Sequence, residues 1–208
     1  MHRLKTLVLL MAVPLACATN SPIELKTALA DLLQELPGDY DNAAQVYFEE
    51  ATPESSGPPH DRMRLRFVRV LAPAVGESLL SSTLRHGGKD GKVVDSESVV
   101  WTLKLDPLGK VVRMTPFRPR RPFDAAAAWS AADLAPAENL CTILWRKYGN
   151  AVRGTAETAS CGGSPPREYV LTPDELWVTH LPADPGRTVV QKPADESHYR
   201  LGLSLIHI

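Results

Sequence analysis

The sequence carries almost no excess charge of either sign: 23 Lys and Arg stand against 24 Asp and Glu. Nucleic-acid-binding proteins normally show a strong basic excess, so no nucleic-acid partner is expected. Long apolar runs are also missing, because no stretch approaches the roughly 20 apolar residues that a membrane helix requires. The mature chain is therefore expected to be soluble or tethered to a membrane only at its start.

Motifs of several enzyme classes are absent. The six histidines are dispersed, and no HExxH or similar spacing indicates a metal site. There is no GxSxG elbow of an esterase, and the glycine-rich segment 87–92 lacks the spacing of a phosphate-binding loop. The sequence thus predicts no metal and no tightly bound cofactor, and it supports neither hydrolase nor NTPase chemistry.

The N-terminus has the three parts of a secretory signal peptide. Basic residues near position 3 precede an apolar run over Leu7–Val13, and Ala16-Cys17-Ala18 supplies the small-residue cleavage pattern. We expect residues 1–18 to be removed before Thr19 and the protein to be exported to the periplasm or cell envelope. A second possibility is lipidation of Cys17, since Leu15-Ala16-Cys17 is similar to a lipoprotein box, although Pro14 stands where Leu is usual. Cys17 would then be a membrane tether.

Cysteine is scarce, with three residues in the chain. Either processing route removes or modifies Cys17 and leaves Cys141 and Cys161 as a pair, which an oxidising compartment favours as a disulfide. Closing a loop of this size contributes roughly 3 kcal/mol in the chain-entropy model.

Residues 19–202 are expected to form one domain. Ser21-Pro22-Ile23-Glu24 is typical of a capping box, and leucines at helical spacing predict a first helix that stops at Pro37-Gly38. A second short helix is expected over Asn42–Glu50. A loop over Pro53–His60 follows.

Period-two alternation predicts strands in the remainder of the chain, bounded by turn residues. Arg62–Phe67 alternates basic and apolar side chains, and Ser98–Leu105 is expected to pair with Lys110–Met114 across a turn at Asp106–Gly109. Further strands are predicted over Ser78–Leu84, Leu140–Arg146, Ala151–Glu157, Glu168–Thr172, Leu176–Thr179, Thr188–Gln191 and Ser197–Leu201. One short inserted helix is expected over Ala125–Asp133, capped by Asp124, with Trp129 on its apolar side.

About nine strands with short turns favour a mostly β fold, a closed antiparallel β-barrel with one or two N-terminal helices, over a sandwich. The apolar tail over residues 203–208 is either the start of a last strand or a truncated or non-native end.

The segment Glu138–Cys161, ENLCTILWRKYGNAVRGTAETASC, resembles the centre of the CpcT/CpeT family of chromophore lyases. Four other fragments also resemble the family and occur along the chain in the same order as in the family. They are Leu36–Gln45, Arg64–Val70, Pro122–Trp129 and Tyr169–Trp177. The resemblance implies a calycin- or lipocalin-like barrel, often a homodimer, that holds a bilin, an open-chain tetrapyrrole. In such lyases the barrel orients the bilin, and a cysteine of an acceptor phycobiliprotein supplies the nucleophile.

Two segments depart from the family pattern. Leu79–Thr83 stands where an acidic and aromatic strand is usual, and Thr179–Gly186 replaces an Asp-Arg-Gly-like stretch. These departures, with the predicted export, leave a second hypothesis: a non-catalytic, exported barrel that binds a small molecule in the bacterial envelope.

Candidate ligand-binding residues follow from side-chain chemistry. We expect a ligand to enter the open end of the barrel, to stack on Trp101 or Trp145, and to be held by Arg66 or Arg118. Ordinary core packing is the alternative role of both tryptophans, and the sequence favours it. The arginines of Arg62–Arg69 line the interior only if the apolar face of their strand points outward, and Arg118 could instead belong to an exposed proline-stiffened loop.

Overall fold

The computed structural model describes residues 22–51, 62–76, 78–86, 98–124, 127–162, 166–180 and 198–203. Within these ranges the chain forms two α-helices and eleven β-strands. They are α1 (Pro22–Glu35), β1 (Gly38–Asp41), α2 (Ala43–Ala51), β2 (Met63–Val70), β3 (Leu79–His86), β4 (Val99–Asp106), β5 (Val111–Pro119), β6 (Leu134–Pro136), β7 (Ile143–Tyr148), β8 (Ala151–Ala156), β9 (Arg167–Leu171), β10 (Glu175–His180) and β11 (His198–Leu203).

Several sequence predictions fall outside the described residues. They concern the signal peptide with Cys17, the capping residue Ser21, the loop Pro53–His60, the strand Thr188–Gln191 and the tail from residue 204 onward. Among the described residues, no helix is long and apolar enough to cross a membrane.

All strands belong to one antiparallel sheet, in the order β4-β3-β2-β1-β11-β10-β9-β8-β7-β5-β6. A further pairing of β4 with β5, which aligns Leu103 with Met114, joins the two ends of this order. The sheet therefore closes into a barrel, and β6 lies beside β5 as an extension outside the ring. The predicted antiparallel barrel and the predicted hairpin of β4 with β5 are confirmed.

Two strands were not predicted from the sequence. β1 reads Gly-Asp-Tyr-Asp, and β6 reads Leu-Ala-Pro, and both compositions are poor in the β-branched residues typical of strands. Tertiary pairing forms them instead, because β1 lies between β2 and β11 and β6 pairs with the second half of β5.

The barrel interior holds the main hydrophobic core. Helix α1 begins at Pro22, as predicted, and packs its leucine face against β4, β5, β7 and β8 at one end of the barrel. The opposite end, where β8 ends at Ala156 and β9 begins at Arg167, is called the far end below. The buried residues of this core are Leu25, Ala28, Leu32, Leu36, Tyr40, Phe67, Leu80, Trp101, Leu103, Val112, Met114, Ile143, Trp145, Val152, Leu171, Leu176 and Val178.

Polar contacts fix α1 to the barrel. Tyr40 is fully buried, and its hydroxyl donates to the carbonyl of Glu35 at 2.6 Å and contacts that of Leu36 at 3.1 Å. Arg69 at the end of β2 donates through Nε to the Leu33 carbonyl at 2.9 Å, and Lys147 of β7 forms an ion pair with Asp31. Burial, followed by the negative charge of Glu35, raises the pKa of Tyr40 well above its ordinary value, so the phenol stays a donor.

Replacement of Tyr40 with phenylalanine should lower the free energy of unfolding by about 1–3 kcal/mol, because two helix-end carbonyls lose their buried donor. Urea denaturation followed by circular dichroism measures the loss. Tyr47→Phe is the matched control, since Tyr47 lies on α2 with two thirds of its surface exposed (66%) and should unfold like the wild type. Equal midpoints for the two variants would contradict this role of Tyr40.

The inserted segment between β5 and β6 is less helical than predicted. Residues 127–130 are not helical, and a single 3-10 turn spans Ala131–Asp133. The Asp124 carbonyl, which an N-cap would offer to a helical amide, accepts hydrogen bonds from the Trp129 indole at 2.7 Å and from the amide of Ala127. Trp129 is buried on the outside of the barrel in a second cluster with Val70, Ala72, Leu79, Val100 and Leu134.

Candidate ligand-binding site at the far end of the barrel

Three residues on neighbouring strands form a row across the barrel interior. Trp145 of β7 is aligned with Gly154 of β8, and Gly154 is aligned with Tyr169 of β9. Since Gly154 has no side chain, the two rings meet across β8 with their centroids 5.7 Å apart and tilted by 42°. Trp145 is only 1% exposed, and its indole NH contacts the sulfur of Met114 at 3.3 Å, so Trp145 supports Tyr169 from within the core.

Gly154 is required by the close approach of these rings. A Cβ at this position would lie 2.8 Å from two atoms of the Trp145 ring and from Cγ2 of Ile143. Real Cβ contacts are almost never so short, so an added methyl group must displace both the Trp145 ring and the Ile143 side chain or move the strand itself.

Gly154→Ala should therefore cost about 1–3 kcal/mol of stability, the range expected for overpacking a well-filled core. The displaced indole should also shift the tryptophan fluorescence maximum. Gly76→Ala is a suitable control, because a Cβ at Gly76 meets only Cδ1 of Leu79 at 3.6 Å. An unchanged spectrum and unfolding midpoint for Gly154→Ala would show that the Trp145 ring does not cover Gly154.

Arg167 extends this row toward the far end. Residues 167, 169 and 171 alternate onto one face of β9, and Leu171 is buried in the core, so Arg167 and Tyr169 are on the interior face. Arg167 is half-buried, and its guanidinium lies close enough to the Tyr169 phenol to affect the pKa of that group. Burial raises the pKa of Tyr169, while the positive charge of Arg167 opposes that rise.

Trp101 lies elsewhere on the same interior surface. Its ring is 8% exposed, and its indole NH donates to the Ser82 hydroxyl at 2.8 Å. Ser82 belongs to the segment Leu79–Thr83, which contains no acidic or aromatic residue. One of the three hydroxyl groups of that segment therefore fixes the position of the Trp101 indole.

Of the two arginines predicted to hold a ligand, Arg66 lies on the outside, whereas Arg118 shares its face of β5 with the core residue Met114 and lies near the end of that strand. Leu65 and Phe67 pack into the core, so the alternating side chain of Arg66 is on the outer face, 65% exposed and 3.8 Å from Asp39. Arg118 donates to Oδ1 of Asn139 at 2.9 Å in an exposed contact. Arg64 is also on the outer face but is buried, because its guanidinium pairs with Asp39 at 3.0 Å.

A separate cleft of about 190 Å³ lies beside α1. It is smaller than the roughly 300–1,000 Å³ of typical ligand sites, and its lysine is already paired with Asp31. Its lining residues are Asp31, Glu35, Lys147, Asn150, Val152, Leu171, Thr172 and Pro173.

The predicted disulfide between Cys141 and Cys161 is confirmed, and it joins the start of β7 to the turn after β8. Hydrogen bonds reinforce the same junction: Thr142 N donates to Ser160 Oγ at 2.7 Å, and Glu157 N donates to Thr142 O at 2.8 Å. Because the two cysteines are bonded to each other, neither offers a thiol for attachment of a ligand. Within the described ranges, no group of three or more His, Cys, Asp or Glu side chains could hold a metal ion.

Comparison with solved structures finds the T-type phycobiliprotein lyase CpeT from Prochlorococcus phage P-HM1. The TM-score is 0.52 at 11% sequence identity, and the match covers 85% of this chain and 98% of the CpeT chain. No protein-family model and no curated protein matches the sequence. The chain therefore has a CpeT-like fold, which confirms the predicted calycin-like barrel at the level of architecture.

Sequence reasoning singled out Trp145 but missed Tyr169 and Arg167. A signal was present for Tyr169, which alternates with Leu171 within the predicted strand Glu168–Thr172, whereas Arg167 lies one residue before that predicted strand. The sequence does not indicate which residues contact Tyr169, because its contact with Trp145 depends on the registers of β8 with both adjacent strands.

Proposed function

We propose that this protein binds an open-chain tetrapyrrole at the far end of its barrel and presents it to a cysteine of a phycobiliprotein-like acceptor. The observation that carries the proposal is the CpeT-like fold, which extends over 98% of the CpeT chain. The aromatic pair of Tyr169 and Trp145 supports it, since a conjugated planar ligand packs well against aromatic rings.

The disulfide decides which protein would supply the nucleophile for bilin attachment. Cys141 and Cys161 form a disulfide, so the barrel would hold the bilin without a covalent bond to either residue. The acceptor thiolate would attack the bound bilin, and the barrel would contribute orientation and exclusion of water. Residues at the far end thus act through binding rather than as nucleophiles.

A transfer assay tests this function. The mature protein, phycocyanobilin and a phycobiliprotein acceptor subunit are mixed, and the acceptor is analysed on a denaturing gel by bilin fluorescence and by mass spectrometry. We expect a covalent adduct at one acceptor cysteine, formed faster and with fewer oxidised by-products than without the protein. An acceptor labelled at the same rate and purity with and without the protein would exclude a lyase role.

A second candidate function is that of a non-catalytic small-molecule carrier in the cell envelope. The disulfide favours it, since such bonds persist in oxidising compartments and are rare in the cytosol. Under this hypothesis residues 1–18 direct export, and Cys17 is either removed or acylated as a membrane tether. Fractionation of cells that express the full chain, with mass spectrometry of the mature N-terminus, distinguishes these fates, and retention of residues 1–18 in the cytoplasm would contradict export.

A further inference from the structure

We propose that Arg167 and Tyr169 form a carboxylate-binding pair that selects acidic, planar ligands at the far end of the barrel. The proposal rests on the proposed function, because it names the ligand group that this interior recognises. It concerns residues that the sequence analysis did not single out.

Arg167 places a cation on an interior face of the barrel. Leu171 and Tyr169 pack in or against the main core, and Arg167 continues their face of β9 at its first residue. Placing a guanidinium beside an apolar interior is costly unless the charge is paired or solvated. Arg167 is half-buried there, so an anionic ligand would offset part of that cost.

Neighbouring arginines on the outer face pair with carboxylates, whereas Arg167 does not pair with one among the described residues. On the outer face of the same strands, Arg153 donates to Glu168 at 2.7 Å. Arg113 of β5 likewise binds Glu157 through two contacts of 2.7 and 3.1 Å. Among the described residues no carboxylate pairs with Arg167, whose polar neighbour on β9 is the Tyr169 phenol. One phenol contact leaves further guanidinium donors for a carboxylate, which arginine binds in a bidentate geometry.

Small residues of β8 lie beside Arg167 and Tyr169. Gly154 and Ala156 lie on the interior face of β8, the strand next to Arg167 and Tyr169, and Thr155 of β8 is aligned with Glu168. The Trp145 ring and Ile143 fill the space over Gly154, so the side chain that β8 places beside Arg167 is the small methyl group of Ala156. A ligand carboxylate on Arg167 would therefore place an attached conjugated ring system over Tyr169, which Trp145 supports from behind.

The test compares phycocyanobilin with the same bilin after methyl esterification of both propionates, in titrations that follow bilin absorbance. We expect the free acid to bind wild-type protein roughly 10- to 100-fold more tightly than the ester, the range for hydrogen bonds to a charged group. Arg167→Gln should weaken the acid to the affinity of the ester and leave the ester unchanged. Arg167→Lys should retain part of the preference, and Tyr169→Phe should reduce it.

Arg66→Gln is the matched control, because Arg66 lies on the outer face and should leave both affinities unchanged. Urea denaturation verifies that each variant folds. Equal binding of acid and ester by the wild type would overturn the carboxylate pair and leave bilin binding intact. If neither form binds, both the pair and the proposed bilin function are wrong.

Discussion

Replacing Cys141 and Cys161 together with serine is expected to lower the free energy of unfolding by about 3 kcal/mol. The two residues are separated by 20 positions, and the chain-entropy model assigns roughly this value to a loop of that size. The bond closes the hairpin of β7 and β8, the strands that carry Trp145 and Gly154, so the loss should reach the candidate site.

Urea denaturation with and without a thiol reductant measures this effect. The reductant should lower the midpoint of the wild type to that of the double serine variant and should leave the variant unchanged. A wild-type midpoint that coincides with that of the variant under oxidising conditions would show that the bond adds no stability.

Gly162→Ala should lower the free energy of unfolding by more than the cost of a left-handed backbone conformation alone. Gly162 has a φ of +53°, and a Cβ at this position would lie 1.7 Å from the carbonyl oxygen of Glu138. The left-handed backbone alone costs a residue with a Cβ about 1–2 kcal/mol. The clash with main-chain atoms adds to this, since the segment beside the disulfide must move to relieve it.

Gly149 provides a matched control for this prediction. Its φ of +59° is nearly the same, but a Cβ there would meet nothing within 4 Å. Gly149→Ala should therefore show the backbone cost alone, and Gly162→Ala should exceed it in chemical denaturation. Similar losses for the two variants would mean that the contact with Glu138 is readily relieved.

The sequence predicted much of the barrel because its signals are local. Two patterns depend only on residues close in the sequence, and the structure confirms the elements that they predict. They are the alternation in Arg62–Phe67 and Ser98–Leu105 and the leucine spacing after Pro22. β1 and β6 were missed because long-range pairing forms them. The inserted helix was overestimated, since an alanine-rich segment favours a helix locally, whereas Trp129 is fixed outside the barrel by the Asp124 carbonyl.

The candidate site was harder to predict than the fold. Which face of a strand points inward decides the role of every arginine, and for Arg66 that depended on the packing of Leu65 and Phe67. The pairing of Trp145 with Tyr169 depends on two registers and on the missing side chain of Gly154. Composition alone could name the disulfide pair, because only two cysteines remain once Cys17 is set aside.

The most direct test of a bilin-binding interior is the visible circular dichroism of phycocyanobilin titrated with the mature protein. A bilin held in one orientation on Tyr169 should acquire an induced dichroic band that saturates at one ligand per chain. Tyr169→Ala should weaken the band, whereas Tyr47→Ala on the exposed face of α2 should not. The absence of any induced band, with an absorbance spectrum identical to that of free bilin, would contradict the account.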